Sequence, residues 1–224
     1  QYYGFRNNSD LLKKSADLAS RMKETSKNIK SPPGDRGSEF IPGEFVSGYK
    51  KNWFFDKKIK GICNHHSRSH MPSDIHRYFY AACYSDIFGI SPKLRDFPDD
   101  LLPKHKSANR DKPAGGAFSD RFRVQLPHRP GTTVVSHISH DGHYFIHYDP
   151  LQCRSLTVRE VARIQTFPDS WKFVGSNSSQ YRQIGNAIPV KFATTLATAL
   201  HASLVSSKLV EKIPMKKKVR SSRL

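Results

Sequence analysis

The apolar positions of the chain fall into blocks of different period. Between residues 10 and 30, Leu11, Leu12, Ala16, Leu18, Ala19 and Met22 recur at helical spacing among lysines, which predicts a basic amphipathic helix. Residues 31–48 hold three prolines and four glycines and read as a loop or linker. Residues 74–88 are rich in aromatics and alanine (Ile75, Tyr78, Phe79, Ala82, Ile87), a second helix that Gly89 should end. Pro92, Pro98, Pro103 and Pro113 then punctuate an irregular stretch as far as Gly116. From residue 122 to 147 the period shortens. Phe122, Val124 and Leu126 alternate, Val135, His137 and Ile138 do so less cleanly, and Tyr144 to Ile146 follow an Asp141-Gly142 turn signal, so β-structure is predicted.

The pattern is most explicit after Leu156. Thr157 and Glu160 are spaced as a capping box, in which the Thr hydroxyl takes the third-position N–H and the Glu reaches back. Leu156 and Val161 bracket that cap as a hydrophobic staple. The helix should run through Ile164 and stop before Pro168, which disfavours helical backbone at Phe167. A further helix should open at Pro189, with Phe192, Leu196, Leu200 and Leu204 on one stripe and Ala193, Ala197 and Ala199 beside it. No internal repeat is present. The pattern as a whole describes an α+β chain, an irregular region with short strands followed by a helical end.

Composition narrows the partners. The 224 residues carry 37 Lys and Arg against 19 Asp and Glu, a net charge of +18 and a pI near 10.0, which points to a polyanion. The last 18 residues hold seven basic side chains against Glu211 and should form a disordered tail, but most of the surplus lies elsewhere. No apolar run approaches the ~18 residues of a bilayer span, so no membrane role is expected. Cys63, Cys83 and Cys153 are too few and scattered for a disulfide scaffold and favour a reducing compartment. The grouping of Cys63, His65, His66 and His70 matches no common structural zinc spacing, and no metal is expected. His137, His140, His143 and His147 would sit on and off one strand face and gain charge near phosphates below neutrality.

Two blocks carry a family resemblance. RSLTVREVARIQTFPD at 154–169 and YRQIGNAIP at 181–189 resemble the last two signature blocks, motifs IX and X, of DNA cytosine-5 methyltransferases, in the same order and at a similar separation. GTTVVSHISHDGHYF at 131–145 resembles the end of a target recognition domain in that family. NHHSRSHM at 64–71 and SPKLRDFP at 91–98 look like one bacterial branch of it. The resemblance implies that Arg154, Arg159 and Glu160 are structural, through buried charge-assisted hydrogen bonds. It implies that Gly185, Asn186 and Ala187 form the turn that closes over S-adenosyl-L-methionine, with Asn186 the main contact. Thr133 resembles the threonine whose hydroxyl meets a phosphate beside a flipped cytosine, and Arg68, His70, Arg121 and Arg123 are the further candidates for DNA contact.

The departures matter as much. Cytosine C5 needs a thiolate at C6 and an acid near N3, which the family supplies from Pro-Cys and Glu-Asn-Val blocks. Here Cys63 follows Ile62, Cys83 follows Ala82 and Cys153 follows Gln152, and no Glu-Asn-Val occurs. Neither does the Phe-x-Gly-x-Gly loop, nor the strand–helix alternation of a Rossmann-like sheet. No catalytic residue is therefore assigned. The expectation is a four-part chain. Residues 1–50 would be a basic helix and linker, 51–150 the recognition domain, 151–206 the motif IX and X helices that pack on a Rossmann-like methyltransferase domain, and 207–224 the tail. Such a chain would be a C-terminal fragment, a truncated product or the recognition subunit of a split restriction–modification enzyme. It would be inactive without a catalytic half, bind double-stranded DNA and work in the cytoplasm at the nucleoid. The rival is a non-catalytic DNA-binding remnant. Removing the tail from Ser207 should lower non-specific DNA affinity and flatten its salt dependence while site preference is kept, as titration of duplex binding against salt would show.

Overall fold

A computed structural model describes residues 8–29, 36–43, 50–56, 58–104 and 119–207. The basic tail and the end of the proline-punctuated stretch lie outside them. The chain divides into two compact units, Gln1–Ala187 and Ile188–Leu224. Mixed helix and a small sheet make the first unit α+β.

In that unit α1 (Asn8–Asn28) packs on α3 (Pro72–Phe88). Leu18 is buried while Leu12 stays exposed, so only one flank of the predicted amphipathic face is used. Arg21 Nε donates to Asp86 Oδ2 at 2.7 Å and fixes the pair at the rim. Helix α3 starts at Pro72 and ends on Gly89, whose φ of 69° is the left-handed stop that the sequence calls for. Its Tyr78, Tyr80 and Tyr84 enter an aromatic core with Leu94, Phe97, Phe122, Val124 and Ile146. Ring centroids of 5.0 Å for Tyr80–Phe97 and 5.5 Å for Phe97–Phe122 are those of tilted, attractive pairs.

Three elements depart from the sequence reading. Part of the predicted 31–48 linker is a strand, β1 (Gly37–Pro42), antiparallel to β2 (Gly61–His66). Its burial pattern is almost wholly exposed, so no apolar alternation marks it. The short helix α2 (Lys51–Phe54) lies between the two strands in sequence. The predicted β-structure of residues 122–147 shrinks to single bridges: Val124 pairs in parallel with Ile146, and Ile146 antiparallel with Ser155. Pro127 and Pro130 lack the N–H groups that a longer ladder needs, and Ser136–Ser139 turns into a 3-10 helix. The four histidines from 137 to 147 therefore do not share a strand face. Helix α4 (Val158–Ile164) matches expectation closely. Thr157 accepts from the Glu160 N–H, the Glu160 carboxylate takes the Thr157 N–H at 2.7 Å, and Leu156 and Val161 are both buried. Helix α5 (Asn177–Gly185), capped by Ser176, was not anticipated.

A buried polar network joins these parts. Asn64, with no exposed surface and a φ of 59°, acts as a strand partner for Phe173: it accepts the Phe173 N–H at 2.9 Å and donates to the Phe173 carbonyl at 2.9 Å. Arg159, 1% exposed, donates to the carbonyls of Cys63, Pro168 and Trp171 and lies 4.0 Å from Asp169. Strand β2, α4 and the loop to α5 are thereby held as one piece.

The second unit contains α6 (Val190–Ser206), with Pro189 at its N-cap as the sequence predicts. Phe192, Leu196 and Leu200 are 61%, 54% and 58% exposed, so nothing within this unit covers that part of the apolar stripe. The stretch Asn177–Ser206 contains a window of mean hydropathy 1.3, long and apolar enough by composition to cross a membrane. No uninterrupted apolar run of that length occurs in it, as the sequence reading has it. Counting uninterrupted apolar runs misses it, because Val, Leu and Ala outweigh the Lys, Thr and His residues that interrupt them. Replacing Asn64 by Ala leaves the Phe173 N–H and carbonyl without partners inside the fold. It should cost about 2–4 kcal/mol in urea unfolding, and a loss below about 1 kcal/mol would remove Asn64 from the centre of the network.

Candidate functional site

Residues 131–135 form a strap that alternates in burial. Thr133 and Val135 face out, and Val134 is buried. Gln125, itself buried, braces the start of this strap: its Oε1 accepts the Thr132 N–H at 3.0 Å, and its Nε2 donates to Thr132 Oγ1 at 2.8 Å and to the Tyr144 carbonyl at 2.7 Å. The strap borders a cleft of about 650 Å³ lined by Arg123, Thr132, Thr133, His137, Asp141 and Tyr144, among others. Thr133 and Arg123, two of the residues singled out from sequence, thus meet at one surface.

The charges around the cleft are balanced. Arg123 is ion-paired with Asp120, Arg121 Nη2 lies 3.9 Å from Asp141, and His137 lies 3.6 Å from the same carboxylate. An incoming polyanion would compete with these carboxylates for the guanidiniums, and both arginines keep about a third of their side-chain surface open.

Arg68 and His70 do not line this cleft. Arg68 Nη2 donates to the Ile138 carbonyl at 2.5 Å, and its guanidinium sits 5.1 Å from the Tyr181 ring centroid. His70 Nε2 accepts the Ser155 N–H at 3.2 Å, with its ring edge-on to Tyr78. Both therefore hold the elements that support the cleft, Arg68 by way of the 3-10 helix.

The block at 154–169 is internally braced. Arg154 grips Glu160 with two hydrogen bonds of 2.7 and 2.9 Å, and Arg163 does the same to Asp169 at 2.9 and 2.6 Å. Burial alone would raise the Glu160 carboxyl, but the Arg154 guanidinium outweighs it and brings the pKa down to about 2. Within the first unit, the end of α5 lies against the strap. A Cβ at Gly185 would come within 2.6 Å of the Val135 carbonyl and the Ser136 nitrogen, so glycine is what lets α5 approach that backbone. Asn186, the C-cap of α5, is exposed, and the Ala187 carbonyl accepts from Gln165 at 3.1 Å. Gln125, Gln165 and Asn64 were not picked out from the sequence. Their signal there is weak, because nothing distinguishes a buried amide from a solvated one until its carbonyl partners are placed.

Among the described residues no group of three His, Cys, Asp or Glu side chains converges as a metal site. Burial pushes the Cys83 thiol up to about 12 and the Cys153 thiol to about 11, which disfavours a thiolate at either.

The chain matches the C-5 cytosine-specific DNA methylase family over residues 2–202 and belongs to that family. It is 43% identical over 144 residues to the type II methyltransferase M.Bpa9945I of Bacillus paralicheniformis, a match covering 62% of this chain and 29% of that protein. It is 38% identical over 87 residues to the type II methyltransferase M.AgeI of Thalassovita gelatinovora, covering 39% of this chain and 20% of the relative. To the type II methyltransferase M.Eco47II of Escherichia coli it is 61% identical over 44 residues, 20% of this chain and 11% of the relative. The chain thus spans less than a third of the length of these relatives.

Four histidines tie the stability of the fold to pH. His65, His70, His143 and His147 are all lowered from the usual imidazole range, in each case mainly by burial. His70 falls to about 3, with Arg68 adding to the effect. Burial of His143 and His147 therefore opposes the gain of charge that the sequence reading allows near phosphates. A folded pKa below the unfolded one means that the unfolded chain takes up protons first, so stability is complete above pH 6.5 and declines as pH falls toward the folded values. Glu160 adds a second loss between its unfolded pKa of 4.5 and about 2. Unfolding free energies from urea titration should be level from pH 7 to 8 and then fall below pH 6.5, by up to about 1.4 kcal/mol per pH unit for each histidine. A free energy unchanged at pH 5 would contradict this.

Proposed function

We propose that the chain is the target-recognising and cofactor-closing part of a DNA cytosine-5 methyltransferase from a restriction–modification system, working on double-stranded DNA in the cytoplasm. The observation that carries this reading is the contact of the Gly185 turn with the strap behind Thr133, at the edge of a cleft large enough for a nucleotide-sized group.

In this reading Thr133 and Arg123 meet the DNA backbone, and Arg121 joins them once the phosphates displace Asp141. Arg68 and His70 contribute by holding the surrounding turns. The exposed Asn186 side chain offers an amide to S-adenosylmethionine, and Gly185 and Ala187 shape the turn that presents it. An exposed amide at the C-cap of α5 is the feature of this chain that suits one edge of such a pocket. When bound, S-adenosylmethionine supplies the methyl group for C5 of a cytosine flipped from the duplex. The thiolate that adds at C6 and the acid near N3 come from a catalytic half that also covers the Phe192, Leu196 and Leu200 stripe, since none of Cys63, Cys83 and Cys153 follows a proline and the raised Cys83 and Cys153 thiols suit neither role.

The test supplies the missing chemistry. The chain is mixed with, or fused to, the amino-terminal part of the Bacillus paralicheniformis relative, and transfer of labelled methyl groups to duplex DNA is followed. Transfer should appear in the mixture and in neither part alone. Thr133→Val should weaken DNA binding by about tenfold, the size of one charge-assisted hydrogen bond. Asn186→Ala should weaken cofactor binding and leave DNA affinity intact. DNA binding without methyl transfer under every pairing would establish the rival, a DNA-binding remnant.

A further inference from the structure

Gln165 follows α4 and is 5% exposed. Its Nε2 lies 3.1 Å from the Ala187 carbonyl, 3.3 Å from that of Ile184 and 3.5 Å from that of Val134. A primary amide has two N–H bonds, so three carbonyls share two hydrogens. Two of these acceptors flank the turn that carries Asn186, and the third belongs to the residue after Thr133. Gln125 offers the contrast, since its amide serves only residues around the cleft, Thr132 and Tyr144. The close approach at Gly185 leaves no slack between α5 and the strap, so the shared amide joins two segments already in van der Waals contact.

We infer that Gln165 is a positioning residue that ties the seating of the DNA-facing strap to the order of the Asn186 turn. When Thr133 is held on a phosphate, the Val134 carbonyl is fixed, and so is the amide that donates to it. The freedom of that amide is then also lost to Ile184 and Ala187, so the turn is ordered by DNA before it meets a cofactor. The inference rests on the reading of Thr133 as a DNA contact, and it adds to that reading a route by which DNA recognition prepares the cofactor edge.

Hydrogen–deuterium exchange of the full chain, with and without saturating duplex DNA, tests it. In the free chain Gln165→Met should speed exchange in both residues 133–138 and residues 184–187, and Gln125→Met in the strap alone. Duplex DNA should slow exchange at residues 184–187 of the unaltered chain by about three- to tenfold, the effect of one buried hydrogen bond. Gln165→Met should keep the DNA-dependent protection of the strap and lose that of the turn. Gln125→Met should keep the turn's response wherever the strap still responds. A purely structural role would lower the melting temperature of both variants without this split. If Gln165→Met does not fold, Gln165→Asn, one methylene too short to span the three carbonyls, is read in the same way. Full protection of the turn in the Gln165 variant overturns the inference while leaving the DNA reading intact. No protection of the strap in the unaltered chain overturns the DNA reading and this role together.

Discussion

A guanidinium almost wholly out of water is tolerable only where carbonyls ring it, and Arg159 obtains those carbonyls from three places: Cys63 on β2, Pro168 after α4 and Trp171 further along the loop. Satisfying that one cation forces β2, α4 and the approach to α5 to arrive together. Asn64 completes the arrangement by giving Phe173 the two hydrogen bonds of a strand that is not there. Once this frame is set, the strap, the cleft and the Asn186 turn have fixed supports. The frame is polar, and its advantage over an apolar core is direction: each hydrogen bond specifies which backbone group lies where.

This explains why some parts of the molecule were legible in the sequence and others were not. Helix α4 could be read to its ends because its signals are local. A capping box, a staple and a following proline need no distant partner to act. Helices α1, α3 and α6 were likewise visible in their apolar spacing. Strand β1 was not, because its side chains are exposed and its one partner, β2, begins some twenty residues later. The bridges around Ile146 show the converse error. Alternating apolar residues there are buried, but prolines allow the pairing to last for only one residue at a time.

The site followed the same division. Thr133 and Arg123 were named from the sequence and meet at one cleft, while Arg68 and His70 were named with them and sit among supporting elements. Residue type alone cannot separate these cases, since an arginine serves a phosphate and a backbone carbonyl with the same donors. The glutamines were invisible for a related reason. Gln125 and Gln165 owe their importance to carbonyls at 19 to 31 residues' distance in the chain, a separation that no local pattern encodes.

The distribution of the three cysteines has a practical side. Cys83 and Cys153 lie inside the fold with thiols that resist ionisation, and the Cys153 Sγ is further occupied by the Pro150 carbonyl at 3.0 Å. Cys63 alone is partly accessible, on β2 with its carbonyl in the grip of Arg159. A thiol-directed dye added to the native protein would accordingly mark a single position beside the polar frame, and the label's environment would report whether that frame is closed.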